Sequence, residues 1–302
     1  MALFALRVFA LLIALAPVAW ASNVALLLSD TKGPYAEFAT TLNDALADSS
    51  WKISQSGKPG EFSLNEKPPD LIITAGAEAL RHALNENRTT PLVATLLPRQ
   101  SYEKILAEAG KGRGRVTAIY LDQPASRQAS FLRRILPGAN LQVGILASNE
   151  TRAQLPQHNQ ALRQAGMVLQ SEDSDTDTTL LPALNALLPR VAVLLALPDS
   201  TIYKRENIKT ILVTTYRYQR PVIGFSVAFV NAGALAALHS TPSQIARQTA
   251  DLLISSGTVL PPPMPPSQFA IAINSTVAQA LGLTLPDEAS IRRAMIADKE
   301  SR

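Results

Sequence analysis

The chain has 302 residues, no cysteine, and a net charge of +4 from 28 basic and 24 acidic residues. Disulfides and thiolate metal sites are excluded, so the fold has to be held by its apolar core. The charges are nearly balanced and scattered, which predicts no nucleic-acid partner, because phosphate backbones select basic patches or stripes.

The first residues have the order of an export signal. Arg7 gives a basic start, Val8 to Ala16 an apolar run, and Ala19-Trp20-Ala21 a small-x-small triplet after Pro17. The apolar run is too short to span a membrane, which needs about 20 such residues. Cleavage near Ala21 is expected, removing residues 1–21 and releasing a periplasmic chain. The roughly 280 residues left are near the size at which one core divides into two lobes.

Continuous apolar runs bounded by turn residues follow, as strands of a parallel sheet read when both faces are covered. They are Val24 to Leu28, Leu71 to Thr74, Leu92 to Leu96, Val143 to Ala147, Val191 to Leu197, Val222 to Phe225 and Phe269 to Ile273. Helical spacing lies between them. Arg127 to Leu136 puts Phe131, Leu132, Ile135 and Leu136 on one face before Pro137-Gly138 stops it. Thr241-Pro242 is a cap and first-turn proline for a helix through Leu253, ended by Gly257. The alternation predicts an α/β fold.

Three segments resemble joints. They are the glycine-rich stretch from Gly110 leading to Val116–Tyr120 and Asp122-Gln-Pro124, the turn Gln219-Arg220-Pro221, and the proline-rich Val259 to Pro266. They divide the chain into one lobe of residues 22–120 plus 222–258 and a second of 121–221 plus 259–302. The acidic run Glu172 to Asp177 lacks the glycine and closing glutamate of a calcium loop and reads as a solvated loop.

No catalytic signature is present: no Gly-x-Ser-x-Gly elbow, no P-loop, no dinucleotide fingerprint, and three histidines far apart. No catalytic residue, metal ligand or cofactor is assigned. In open parallel sheets ligands bind beyond the carboxyl ends of strands. The residues there are Ser29-Asp30, Thr74-Ala75-Gly76, Pro98-Arg99, Ser148-Asn149, Asp199-Ser200 and Phe225-Ser226. Helix starts beside them suit a carboxylate. Asp199 can meet a ligand ammonium or serve as a cap, and Arg99 is a candidate carboxylate partner. Aromatic residues are only 5% of the chain, so an aromatic pocket has to draw on Tyr35, Tyr203, Phe225 or Phe229.

Asp70–Gly76, Val116–Pro124 with Arg127-Gln128, Ile135–Gly138, Leu195–Asp199, Ala232–Ala236 and Phe269–Asn274 occur in an order that resembles the ABC-transporter substrate-binding family with tryptophan- and tyrosine-type members. The resemblance implies a two-lobed periplasmic-binding-protein-like fold with three crossings. It marks Thr74–Gly76, Asp199 and Phe225-Ser226 as cleft-facing. It further implies a monomeric, non-enzymatic receptor that captures a small organic solute, amino acids among the candidates. An inner-membrane ABC permease would be its partner. The alternative is a permease-independent binding protein acting with a sensor kinase or an outer-membrane receptor. The sequence departs from the family at Leu97-Pro98-Arg99-Gln100 and at Ala118.

Overall fold

The computed structural model describes residues 22–300 apart from 87–88, 111–113 and 137, with side chains to residue 297. The export signal at 1–21, the basic part of the glycine-rich joint at 111–113 and the helix-stopping Pro137 lie outside the described residues.

The first sheet contains β1 (Ser22–Leu28), β2 (Trp51–Gly57), β3 (Leu71–Ala75), β4 (Leu92–Thr95) and β5 (Val116–Ala118), all parallel, in the order β2-β1-β3-β4-β5. Its apolar runs are continuous because both faces are covered. Val24, Leu26 and Leu28 face α1 (Pro34–Leu46), meeting Phe38, Leu42 and Leu46. Ala25 and Leu27 face the opposite side, where α2 (Ala77–Glu86) and α3 (Arg99–Ala109) contribute Leu80, Leu84 and Ile105.

After α4 (Ala125–Ile135), the second sheet gathers β6 (Gln142–Ala147), β7 (Val168–Asp173), β8 (Val193–Leu195), β9 (Val222–Gly224), β10 (Ala236–His239) and β11 (Ala270–Ile273). Their order is β11-β10-β9-β8-β6-β7. All pairs are parallel except β10 with β11, so this sheet is not the purely parallel one expected. One face packs against α4 and α5 (Leu155–Gln164) through Phe131, Leu132 and Leu162. The other packs against α6 (Asp177–Leu187), α7 (Arg205–Arg217) and α8 (Val227–Ala232) through Leu184, Ile211 and Phe229.

The strand pairing moves the expected lobe boundaries. Val222–Gly224 bonds to Leu194–Leu195 and to Ala236–Ala237, so residues 222–239 complete the second sheet instead of joining the first lobe. The turn at Gln219–Pro221, with Gln219 at φ 54°, links α7 to β9 inside that lobe and is no crossing. The chain returns at Ser240, where Thr241 accepts from the Gln244 amide and Gln244 reaches back to the Thr241 amide. This capping box opens α9 (Pro242–Ser256), whose Ile245, Ala246 and Leu253 enter the first-lobe core. Trp51 fastens the helix by donating from Nε1 to the Leu253 carbonyl at 3.1 Å. The proline-rich segment then runs beside the first crossing: Met264 pairs in parallel with Ile119, so the tail leaves the first lobe only after Met264. The last two described helices, α10 (Ser275–Ala280) and α11 (Glu288–Glu300), close the second lobe through Ala278, Ile291 and Met295.

Candidate functional site

The crossings also fix which way the strand ends face. β5 runs directly into the first crossing, and β10 runs directly into the second. α4 leaves the first crossing and β6 returns against it, so β6 also ends near the joint. The carboxyl ends of the parallel strands of both sheets therefore face the crossings, and the carboxyl ends are where ligands of open α/β sheets bind.

In the first lobe, Ser29, Tyr35 and Gly76 converge. Ser29 Oγ accepts from the Ala79 amide at 3.0 Å and so caps the first turn of α2 from a distant strand. Gly76 has φ 92°, and a Cβ placed there would lie 2.5 Å from Ser29 Oγ and 2.9 Å from Tyr35 Oη, so only glycine fits. Thr95 Oγ1 donates to the Thr74 carbonyl, while Thr74 Oγ1 is buried with no hydrogen-bond partner. Ala75 is wholly buried as the last residue of β3. Burial, with the Asp30 and Glu78 carboxylates, holds the half-buried Tyr35 phenol above its ordinary pKa. Asp30 is exposed and accepts from the Thr31 amide at 2.6 Å.

Arg99 stands at the end of this row, yet its guanidinium is already engaged. Its Nε donates to Glu103 Oε1 at 2.6 Å, and that bond raises its pKa. Its backbone amide donates to Asp122 Oδ2 at 2.6 Å, which caps α3 from the first crossing. The other oxygen, Asp122 Oδ1, is buried without a partner. Burial pushes the Asp122 carboxyl up to about 6, against the lowering influence of the Arg99 amide.

In the second lobe the central residue is Asp199, which is 4% exposed. Oδ2 accepts from Ser148 Oγ at 2.7 Å, Thr151 Oγ1 at 2.6 Å and the Ser148 amide at 3.3 Å. Oδ1 accepts from the amides of Thr201 and Ile202, each at 3.0 Å. Both oxygens are thus fully used inside the protein. Ser200 donates from Oγ and N to Glu150 at 2.6 and 2.8 Å. Ser226 caps α8 by accepting from the Phe229 amide. Phe225, Tyr203 and Phe229 form an edge-to-face trio with centroids 5.6–5.9 Å apart. Burial raises the Tyr203 phenol, the Asp199 carboxylate adds to it, and Tyr203 Oη has no hydrogen-bond partner.

The expected site residues therefore fall into two groups, one per lobe, at the strand ends. Glu150, Thr151, Thr95 and Asp122 join them without having been singled out as site residues. The Ser148-x-x-Thr151 spacing was visible in the sequence, but its convergence on Asp199 depends on β6 and β8 lying side by side. The acidic run is largely spoken for: Glu172 pairs with Arg190, Asp173 and Asp175 with Arg152 at 3.0 and 2.8 Å, and Asp177 with Lys204 at 2.5 Å. No group of three or more potential metal ligands occurs among the described residues, and none of their helices is long and apolar enough to cross a membrane.

The family profile described as ABC transporter substrate binding protein matches residues 61–296. No curated protein matches the sequence significantly. Among solved structures, a conserved domain protein from Vibrio cholerae is 20% identical, with TM-score 0.61 and coverage of 90% of this chain and 98% of that one. A Streptococcus ABC domain in complex with L-Trp is 16% identical, with TM-score 0.61 and the same coverage. The ligand-free, open form of a Clostridium difficile substrate-binding protein with adhesive properties is 14% identical, with TM-score 0.66, covering 88% and 96%. At these identities the likeness establishes the fold, a two-lobed periplasmic-binding-protein-like architecture.

Proposed function

We propose, from the premise that the chain belongs to the ABC transporter substrate-binding protein family, that it captures one small organic solute between its lobes and passes it to an inner-membrane ABC permease. The observation that carries this reading is that strand ends from both sheets face the three crossings. The solute is held by shape and hydrogen bonds and leaves unchanged. The start of α2 supports an anionic group, since the missing side chain of Gly76 lets the Ser29 and Tyr35 hydroxyls come close to that helix start. The Tyr203–Phe225–Phe229 trio supports a flat or apolar portion on the opposite lobe. An amino acid has both features. In this reading Asp199 is a positioning residue, fixing Ser148 and Thr151 rather than touching the solute. The first residues support export, with Ser22 or Asn23 beginning a monomeric periplasmic protein.

Native mass spectrometry of the protein released by osmotic shock tests this. The expected result is a monomer lacking residues 1–21 and carrying one small molecule. That molecule should raise the melting temperature and lower the radius of gyration on binding. A released protein that keeps Met1, or that gives no thermal shift and no compaction with its co-purifying molecule or any of the twenty amino acids, would overturn the reading.

A further inference from the structure

The crossings are fastened at two levels. On the first-lobe side a short backbone ladder joins the first and third: the Met264 amide donates to the Ala118 carbonyl at 2.9 Å, and the Tyr120 amide to the Met264 carbonyl at 3.0 Å. On the second-lobe side the fastening is made by side chains. Arg127, in the first turn of α4, donates from Nη1 to Gln123 Oε1 at 2.7 Å and to the Pro266 carbonyl at 2.9 Å, and from Nη2 to the Ser267 carbonyl at 3.3 Å. Gln123 donates onward to Ser240 Oγ at 2.8 Å, and Ser240 donates to the Gln268 carbonyl at 2.7 Å. One chain of hydrogen bonds thus runs through all three crossings. Its guanidinium lies 5.2 Å over the Phe269 ring, at the entry to β11. Gln123 and Ser240 are buried.

This arrangement is costly unless it has a use. The described contacts of Arg127 include no carboxylate, and burial lowers its pKa, so the charge is met only by amide and carbonyl oxygens and an aromatic face. Those oxygens belong to segments that otherwise would be single extended strands free to bend independently. Between the two fastenings only short links remain: the Asp122–Gln123 peptide in the first crossing, since the Leu121 amide donates to the Leu97 carbonyl at 3.1 Å and Asp122 holds the Arg99 amide, the Ser240–Thr241 peptide in the second, and Pro265–Pro266 in the third. The second link is sharply bounded, because Ser240 belongs to the second-lobe chain of bonds and Thr241 is already the cap of first-lobe α9. The third is spanned by half-buried Gln248, which accepts from the Ser267 amide at 2.8 Å and donates to the Pro265 carbonyl at 3.3 Å, both in exposed bonds. Water can replace those exposed bonds more cheaply than the buried ones.

We propose that Arg127 is a positioning residue that sets the second-lobe boundary of the hinge, confining the bending between lobes to Asp122–Gln123, Ser240–Thr241 and Pro265–Pro266. Confinement lets the two halves of the binding site meet in one orientation, so the proposal rests on the two-lobed binding reading while its test needs no solute.

Because the chain has no cysteine, a spin label can be placed on each lobe with Asn43→Cys and Arg163→Cys, and inter-lobe distances measured by pulsed dipolar spectroscopy on the ligand-free protein. Arg127→Met should widen the distance distribution about twofold, with the core of each lobe still folded by circular dichroism. Should Arg127→Met fail to fold, Ser240→Ala, which cuts the middle of the chain of bonds and leaves the arginine in place, should widen it to a lesser extent. Gln248→Ala, outside the second-lobe fastening, should change the width far less than either. An unchanged width in the first two variants, with only a lower melting temperature, would reduce Arg127 to a structural contact and overturn the proposal. Absence of solute binding in the parent protein, with the variants widening as expected, would count against the binding reading and not against the hinge.

Discussion

Ser148 donates a 2.7 Å hydrogen bond to Asp199 across the ends of two neighbouring strands, and Thr151 donates to the same oxygen at 2.6 Å. The pair is the point where β6 and the loop after β8 are locked together. Asp199→Asn puts an amide N–H₂ group against the Ser148 amide or against the Thr201 and Ile202 amides. The hydroxyls can rotate to accept, but a backbone amide cannot. The expected outcome is a loss of about 1–3 kcal/mol, and a melting temperature lower by several degrees, measured by differential scanning calorimetry. Unchanged stability would show that the five donors are dispensable and would return Asp199 to direct solute contact.

Gly76→Ala tests the first-lobe half of the site. The substitution meets both a left-handed backbone and a Cβ 2.5 Å from Ser29 Oγ, so Ser29 has to leave the Ala79 amide and the Tyr35 hydroxyl has to move. Calorimetric titration with the co-purifying molecule should show affinity lower by at least about tenfold, with about 1–3 kcal/mol of stability also lost. Full affinity would place the solute away from α2.

The periodicity of the chain made most strands and the two best helices legible, because strands covered on both faces must be apolar throughout and helix ends must be capped. Leu71–Ala75 and the helix begun by Thr241-Pro242 are of this kind. Three strands carried no such signal. Trp51–Gly57 and Val168–Asp173 are edge strands with half-exposed polar positions, and Ala236–His239 is short and follows a glycine-ended helix. The lobe boundaries were misplaced because a proline turn inside one lobe looks locally like a crossing. Only the pairing of Val222–Gly224 with β8 distinguishes them. That the candidate residues fall at strand ends was legible through topology, whereas the linkage of Arg127, Gln123 and Ser240 was not, since their bonds join residues up to 140 positions apart.

Tyr203→Phe removes a hydroxyl that is buried without a hydrogen-bond partner. The ring keeps its contacts with Phe225 and Phe229, so the ligand-free protein should become about 1 kcal/mol more stable in thermal melts. A loss of stability would mean that the hydroxyl is satisfied in solution.

Asp122 gives the protein a pH-dependent cost whose sign follows from its raised pKa. In the folded chain the carboxyl titrates at about 6, above the 3.8 of the free side chain, because burial disfavours its charged form. Below about pH 3.8 it is protonated in both states and costs nothing. Between pH 3.8 and 6 the unfolded chain ionises while the folded chain still holds the proton, so folding loses free energy as pH rises. Above pH 6 the cost is constant, on the order of 1–3 kcal/mol. The Arg99 amide offsets part of it through its bond to Oδ2, and the nearby Glu103 carboxylate adds to it. Asp122→Asn keeps an oxygen for the Arg99 amide and removes the charge. Melting curves of the two proteins from pH 4 to 8 should converge at the acid end and separate up to pH 6, with the variant the more stable. A constant difference across that range would show that Asp122 titrates normally and that its buried oxygen is hydrated.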